Sequence, residues 1–139
     1  MHKNMETREK REVENIAPLN EVKTSDLSGN NLPSPVIQHV NCWWLKDPNN
    51  KEDIRRLSEA VENMREIPGI IDIQFGPRVQ AAWAGGTEPT FDYAFVVTFD
   101  SEESVVNYHP HPLHMKTIEI TNEVSEKFYY FYFNSNMPK

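Results

Sequence analysis

Cysteine occurs once in the chain, at Cys42, so no disulfide can form within it. No apolar run approaches the roughly 20 residues that a membrane-spanning helix needs. Basic residues are in the minority: 14 Lys and Arg stand against 21 Asp and Glu, a formal charge of -7. That balance argues against nucleic acid, or an anionic membrane surface, as the main partner. The segment from Met1 to Asn15 is charged throughout and lacks the apolar centre of a signal peptide. A cytoplasmic protein is the expectation. Its 139 residues, 38% of them hydrophobic, suit one domain with a real core.

What the chain does have is a dense histidine segment, Tyr108-His109-Pro110-His111-Pro112-Leu113-His114. It holds three of the chain's five histidines. Histidine is the side chain whose ordinary pKa lies near neutrality, so it can act as acid or base. Two prolines fix φ and bias the residues before them toward extended geometry. A kinked run of titratable rings suits proton transfer or metal binding. A metal would draw on His109, His111 and His114 with His39 or Glu119. However, His-Pro-His sends successive rings in different directions, and no HExxH spacing occurs, so no metal is expected.

Residues 1–35 read as an N-terminal arm, flexible or partly helical, with loop-forming Ser, Gly, Asn and Pro at 26–35. A domain is expected over 36–134, followed by a tail at 135–139. Residues 36–45 form the first strand, with large apolar groups on both faces. A helix at 50–66 carries Ile54, Leu57, Val61, Met64 and Ile67 at steps of three and four, and Pro68-Gly69 ends it. Residues 70–75 make a second strand. Residues 91–99 make a third, with Phe91, Tyr93, Phe95, Val97 and Phe99 on one face. Asp100 or Ser101 caps a short helix ending near Tyr108. A further helix is expected at 113–127. Residues 128–133 are six consecutive aromatics, read as a final strand buried on both faces.

The order β-α-β-β-α-β predicts an α+β, ferredoxin-like fold. A four-stranded sheet with helices on one side leaves its other face bare. That face is apolar here, so a second copy of the sheet is expected to cover it, giving a two-fold homodimer.

Several segments, in this order, carry a family resemblance. They are Gln38-His39-Val40, Ile67-Pro68-Gly69, Phe75-Gly76, Tyr93 to Phe99, and Tyr108 with His111-Pro112-Leu113-His114. With these the chain resembles the stress-responsive A/B-barrel, or dimeric alpha/beta barrel, family. The resemblance covers about residues 36–134. It implies a homodimer and an activity without metal or organic cofactor. The family includes plant heat-stable stress proteins, olivetolic acid cyclase and a plant hydroxynitrile lyase. In the cyclase a histidine and a tyrosine transfer the protons. By the spacing of HPxH these fall on His114 and Tyr108, with a strand-one pocket histidine on His39. Where the family enzymes often carry a strand-three histidine, this chain has Tyr93.

The expected catalytic set is therefore His114 as base, Tyr108 as oxyanion partner, and His39 and Tyr93 assisting. Trp43, Trp83, Phe91, Phe95 and His111 are candidates to line a small-molecule pocket. For His111 a competing role is to shape the turn; His109 is expected to face water. Cys42 reads as a small buried group rather than a nucleophile. The function expected is cofactor-independent cyclase or lyase chemistry on a small, largely apolar carbonyl or polyketide-like compound. The alternative is a non-catalytic stress-responsive or ligand-binding dimer whose HPxH turn is architectural.

Overall fold

The computed structural model describes residues 34–80 and 90–136. Strand β1 (Val36–Leu45) alternates strictly: Ile37, His39, Asn41, Trp43 and Leu45 are buried and the residues between them half-buried. That two-residue period points one face at the helices. Helix α1 (Lys51–Asn63) starts at Asn50, whose side-chain oxygen accepts the N–H groups of Glu52 and Asp53 at 3.0 and 3.1 Å. It buries Leu57, Ala60 and Val61, and tightens into a 3-10 turn at Met64–Glu66. Gly69 then turns the chain at φ +91, a conformation that favours glycine.

Strand β2 (Ile70–Pro77) runs two residues beyond the expected end. Pro77 fits because β2 lies at the sheet edge, where no ladder bond is lost. Strand β3 (Tyr93–Phe99) buries Phe95, Val97 and Phe99. Helix α2 (Glu102–Tyr108) is capped by Ser101, which accepts the Ser104 N–H at 3.2 Å. Helix α3 (Pro112–Val124) packs beside α1 on the covered face of the sheet. Strand β4 (Ser125–Ser135) follows with no residue between.

The sheet order is β2-β3-β1-β4, antiparallel throughout. The fold is ferredoxin-like α+β, as the element order implied. The expected helix at 113–127 ends three residues early, because Ser125 already pairs with Leu45 of β1. A second expectation is corrected. The aromatic strand is not buried in the protomer: Phe128, Tyr129, Tyr130, Phe131 and Phe133 are 44–60% exposed. β4 is an edge strand, and no element among the described residues covers the second face of the sheet. Cys42 lies half-buried on that same open face, opposite Tyr129 and Ala94. No described helix is long and apolar enough to cross a membrane. The expected N-terminal arm lies outside the described residues.

Candidate active site

The alternation of β1 decides where His39 goes. It occupies a core-facing position, so an imidazole is packed among rings at 3% exposure. Its cross-strand partner is Tyr132, and the two rings lie flat on each other, 3.9 Å apart and 9° from parallel. The edges of Tyr130 and Tyr108 stand at 5.7 and 6.0 Å. Nδ1 lies 3.4 Å from the Phe131 carbonyl. A carbonyl only accepts, so the proton sits on Nδ1 and the lone pair on Nε2. Burial, reinforced by the His114 and His109 imidazoles, pulls the His39 pKa down to about 4 against the Phe131 hydrogen bond. The ring is neutral at pH 7.

Tyr108 ends α2 and is 1% exposed, with its edge on Phe99 at 4.9 Å. Burial, with the neighbouring Tyr132 phenol, holds its pKa well above the ordinary tyrosine range. It is a hydrogen-bond donor, not a phenolate.

His109 and His111 take opposite backbone shapes, although each precedes a proline. His111 is extended (ψ 135), as that position favours. His109 is right-handed helical (φ -51, ψ -50), because it closes α2 with its N–H on the Val105 carbonyl. Two bonds then hold the turn. The His111 N–H reaches the Tyr108 carbonyl at 3.1 Å, and His114 Nδ1–H donates to the His109 carbonyl at 2.9 Å. The second bond fixes the tautomer of His114 and leaves its lone pair on Nε2. The His114 ring is half-buried and lies 3.9 Å from Tyr108, tilted 33°. Burial first, then the charges of His109 and His111, lowers its pKa. Neutral imidazole, the form a general base needs, is thereby favoured.

Tyr132 escaped sequence reasoning, which gives His109 only as a metal ligand or a water-facing residue. Tyr132 lay hidden in an aromatic run whose alternation cannot be read until its register with β1 is known. Burial and the nearby Tyr130 push its phenol up to about 12. It also lines a groove of about 280 Å³ with Ile37, Val105, Val106 and Phe133. His109 is exposed, as expected, yet its ring stands 5.9 Å from Tyr108 and 5.8 Å from His114.

Other expected residues fall elsewhere. Tyr93 pairs with Trp43, four residues along β1 from His39, or about 13 Å at strand spacing. Trp43 and Phe95 pack on each other at 4.6 Å within the core, and the Trp43 indole N–H is satisfied by Thr121 Oγ1 at 3.2 Å. They fill space that a ligand would need. Phe91 meets Trp44, which belongs to the open face of the sheet. His111 caps α3: its Nδ1 accepts the Leu113 N–H at 3.1 Å. Trp83 lies outside the described residues. Among the described residues, no group of three or more His, Cys, Asp or Glu side chains is placed to hold a metal ion.

The profile of the Stress responsive A/B Barrel Domain family matches residues 37–135, through the site and all four strands. The chain belongs to that family. No curated protein matches it. Among solved structures, a hydroxynitrile lyase from Passiflora edulis is similar (TM-score 0.63, 17% identity) over 77% of this chain and 99% of that one. A dimeric ferredoxin-like protein of unknown function from Thermobifida fusca gives TM-score 0.59 and 19% identity, over 76% and 95%. A cofactor-independent oxygenase from Streptomyces nogalater, as its N63A mutant, gives 0.56 and 8%, over 76% and 97%. At these identities the likeness is one of fold. In this chain the site brings a neutral imidazole lone pair and a neutral phenol into ring contact, walled by aromatic rings.

Proposed function

We propose that this A/B-barrel protein is a homodimeric, cofactor-independent acid-base enzyme. It would carry out cyclase or lyase chemistry on a small, largely apolar carbonyl compound. The observation that carries this reading is the contact of the His114 and Tyr108 rings at 3.9 Å, with His114 Nδ1 tied to a carbonyl and Nε2 left as the base. The Passiflora and Streptomyces relatives support a small-molecule enzyme on this fold.

In the proposed step, His114 Nε2 takes a proton from a carbon beside a carbonyl, or from a hydroxyl. In a cyclase the freed C–H electron pair becomes an enolate that attacks a second carbonyl carbon. In a lyase the freed O–H pair closes a C=O while the carbon-carbon bond to the leaving group breaks, and that group then takes a proton. The Tyr108 O–H donates to the oxygen where negative charge grows. Tyr132 and His39, stacked flat, form an aromatic wall.

The homodimer rests on the open face of the sheet. Val40, Val96 and Phe131 adjoin there through direct cross-strand pairing, with Trp44, Tyr129 and Phe133 on the same face. Relatives from Bacteroides fragilis, Thermobifida fusca and Jannaschia are described as dimeric. A second sheet would remove this surface from water.

Two observations favour the non-catalytic alternative: Tyr108 is 1% exposed, and His114 Nδ1 is already satisfied by the turn it stabilises. Activity on mandelonitrile (cyanide release) and on a linear aromatic poly-β-ketone (ring closure) decides between them. The expected result is turnover of one substrate that falls by about 10²–10⁴-fold in His114→Gln, with an unchanged circular dichroism spectrum. Undiminished turnover in that variant, or none in the wild type with either substrate, would overturn the enzyme reading.

A further inference from the structure

The backbone of His109 closes α2, but its imidazole serves neither as cap nor as base and stands at the outer edge of the ring cluster. Its carbonyl holds His114 Nδ1–H at 2.9 Å, which fixes the two residues relative to each other. Its ring faces that of His114 edge-on, 5.8 Å away at 78°, and that of Tyr132 at 6.4 Å. This spacing admits a direct contact or one bridging water between ring nitrogens. Exposure rises outward along the chain of rings: Tyr108 is buried, His114 half-buried and His109 exposed.

A base that collects a proton must release it before it can act again. Among the described residues, the surroundings of His114 offer few acceptors. From β1, His39 resists protonation, since burial holds its pKa at about 4. From α2 and β4, the phenols of Tyr108 and Tyr132 keep their own protons, both pKa values being raised by burial. At the start of α3, His111 has its Nδ1 lone pair committed to the Leu113 N–H, so a proton there would cost the helix its cap. Of these rings, His109 is left with access to both His114 and water.

We propose that His109 is the proton relay of this site, carrying the proton gathered by His114 out to solvent. The proposal rests on the reading of His114 as the base. The transfer is balanced in three steps: substrate to His114 Nε2, His114 to His109 through at most one water, and His109 to solvent or buffer. In the first the C–H or O–H bond breaks and its electron pair stays on the substrate; the last two move the proton alone.

Ring NMR of protein labelled at histidine tests this without any substrate. At the midpoint of the His114 titration and at low buffer concentration, exchange between its protonated and neutral forms is measured by relaxation dispersion. In His109→Gln the exchange is expected to slow by about tenfold or more, and free imidazole in solution should restore it. His109→Asn serves as a second variant if Gln perturbs the turn. Exchange equal to wild type in both variants, or slowing that imidazole does not reverse, overturns the relay. The base assignment fails separately: if His114→Gln keeps full turnover, His114 is not the base whatever the exchange shows.

Discussion

Burying a neutral imidazole makes the fold sensitive to acid, and His39 sets the size of the effect. Its pKa is 6.5 in an open environment and about 4 in the folded chain. Between those values the unfolded chain binds the proton and the folded one does not. Stability contributed by the neutral ring is therefore complete above pH 6.5 and is lost as pH falls through that window. At pH 4.5 the proton linkage for this ring amounts to about 2.5 kcal/mol relative to neutral pH, a large share of a typical domain's stability. His114 is also lowered and acts in the same direction, so wild type alone cannot isolate His39. His39→Phe can. The replacement keeps an aromatic ring over Tyr132 and gives up only the 3.4 Å bond to Phe131. Urea unfolding of both proteins at fixed concentration, from pH 7.5 to 4.5, gives the difference in slope. Wild type should lose about 2 to 3 kcal/mol more than the variant over that range. Parallel curves would refute the assignment of a buried neutral imidazole at this position.

Two further outcomes come from the packing. Gly69→Ala should lower the unfolding free energy measured in denaturant by about 3 kcal/mol, because φ is +91 and a Cβ would overlap the Ser104 side chain; a loss below about 0.5 kcal/mol would show that the α2 start yields freely. Phe131→Lys, at a site 46% exposed in the protomer, should convert a dimer to a folded monomer in sedimentation velocity; a wild-type monomer at micromolar concentration would contradict the interface.

Periodicity carried much of the fold. The 2-residue alternation of β1 and β3, and the 3-and-4 spacing of Leu57, Val61 and Met64, could be read directly because one face of each element is buried. Punctuation by Asn50, Ser101 and Gly69 set the element ends, each through a side-chain cap or a positive φ. The α3–β4 junction was not legible. Ser125, Glu126 and Lys127 continue a helix pattern acceptably, and only their pairing with β1 assigns them to a strand. In the same way, six aromatics in a row contain no alternation, so neither the exposed face nor the role of Tyr132 could be read. At the site, the family resemblance paired Tyr108 with His114, and the short turn between them brings their rings together. Spacing alone could not place Tyr93, whose distance from His39 depends on strand register.

The absence of any residue between Val124 and Ser125 leaves this junction no slack. Adding or deleting one residue in the second half of α3 would rotate the start of β4 by about 100°. The strand would have to slip by one position to stay in the sheet, which turns every side chain to the opposite face. Tyr132 would then leave His39 for the open side, and Phe131 after an insertion, or Phe133 after a deletion, would take its place. Length variation among relatives should accordingly gather in the segment between β2 and β3 and spare the end of α3. A chain grafted or circularly permuted at residue 125 should lose the ring stack before it loses the sheet.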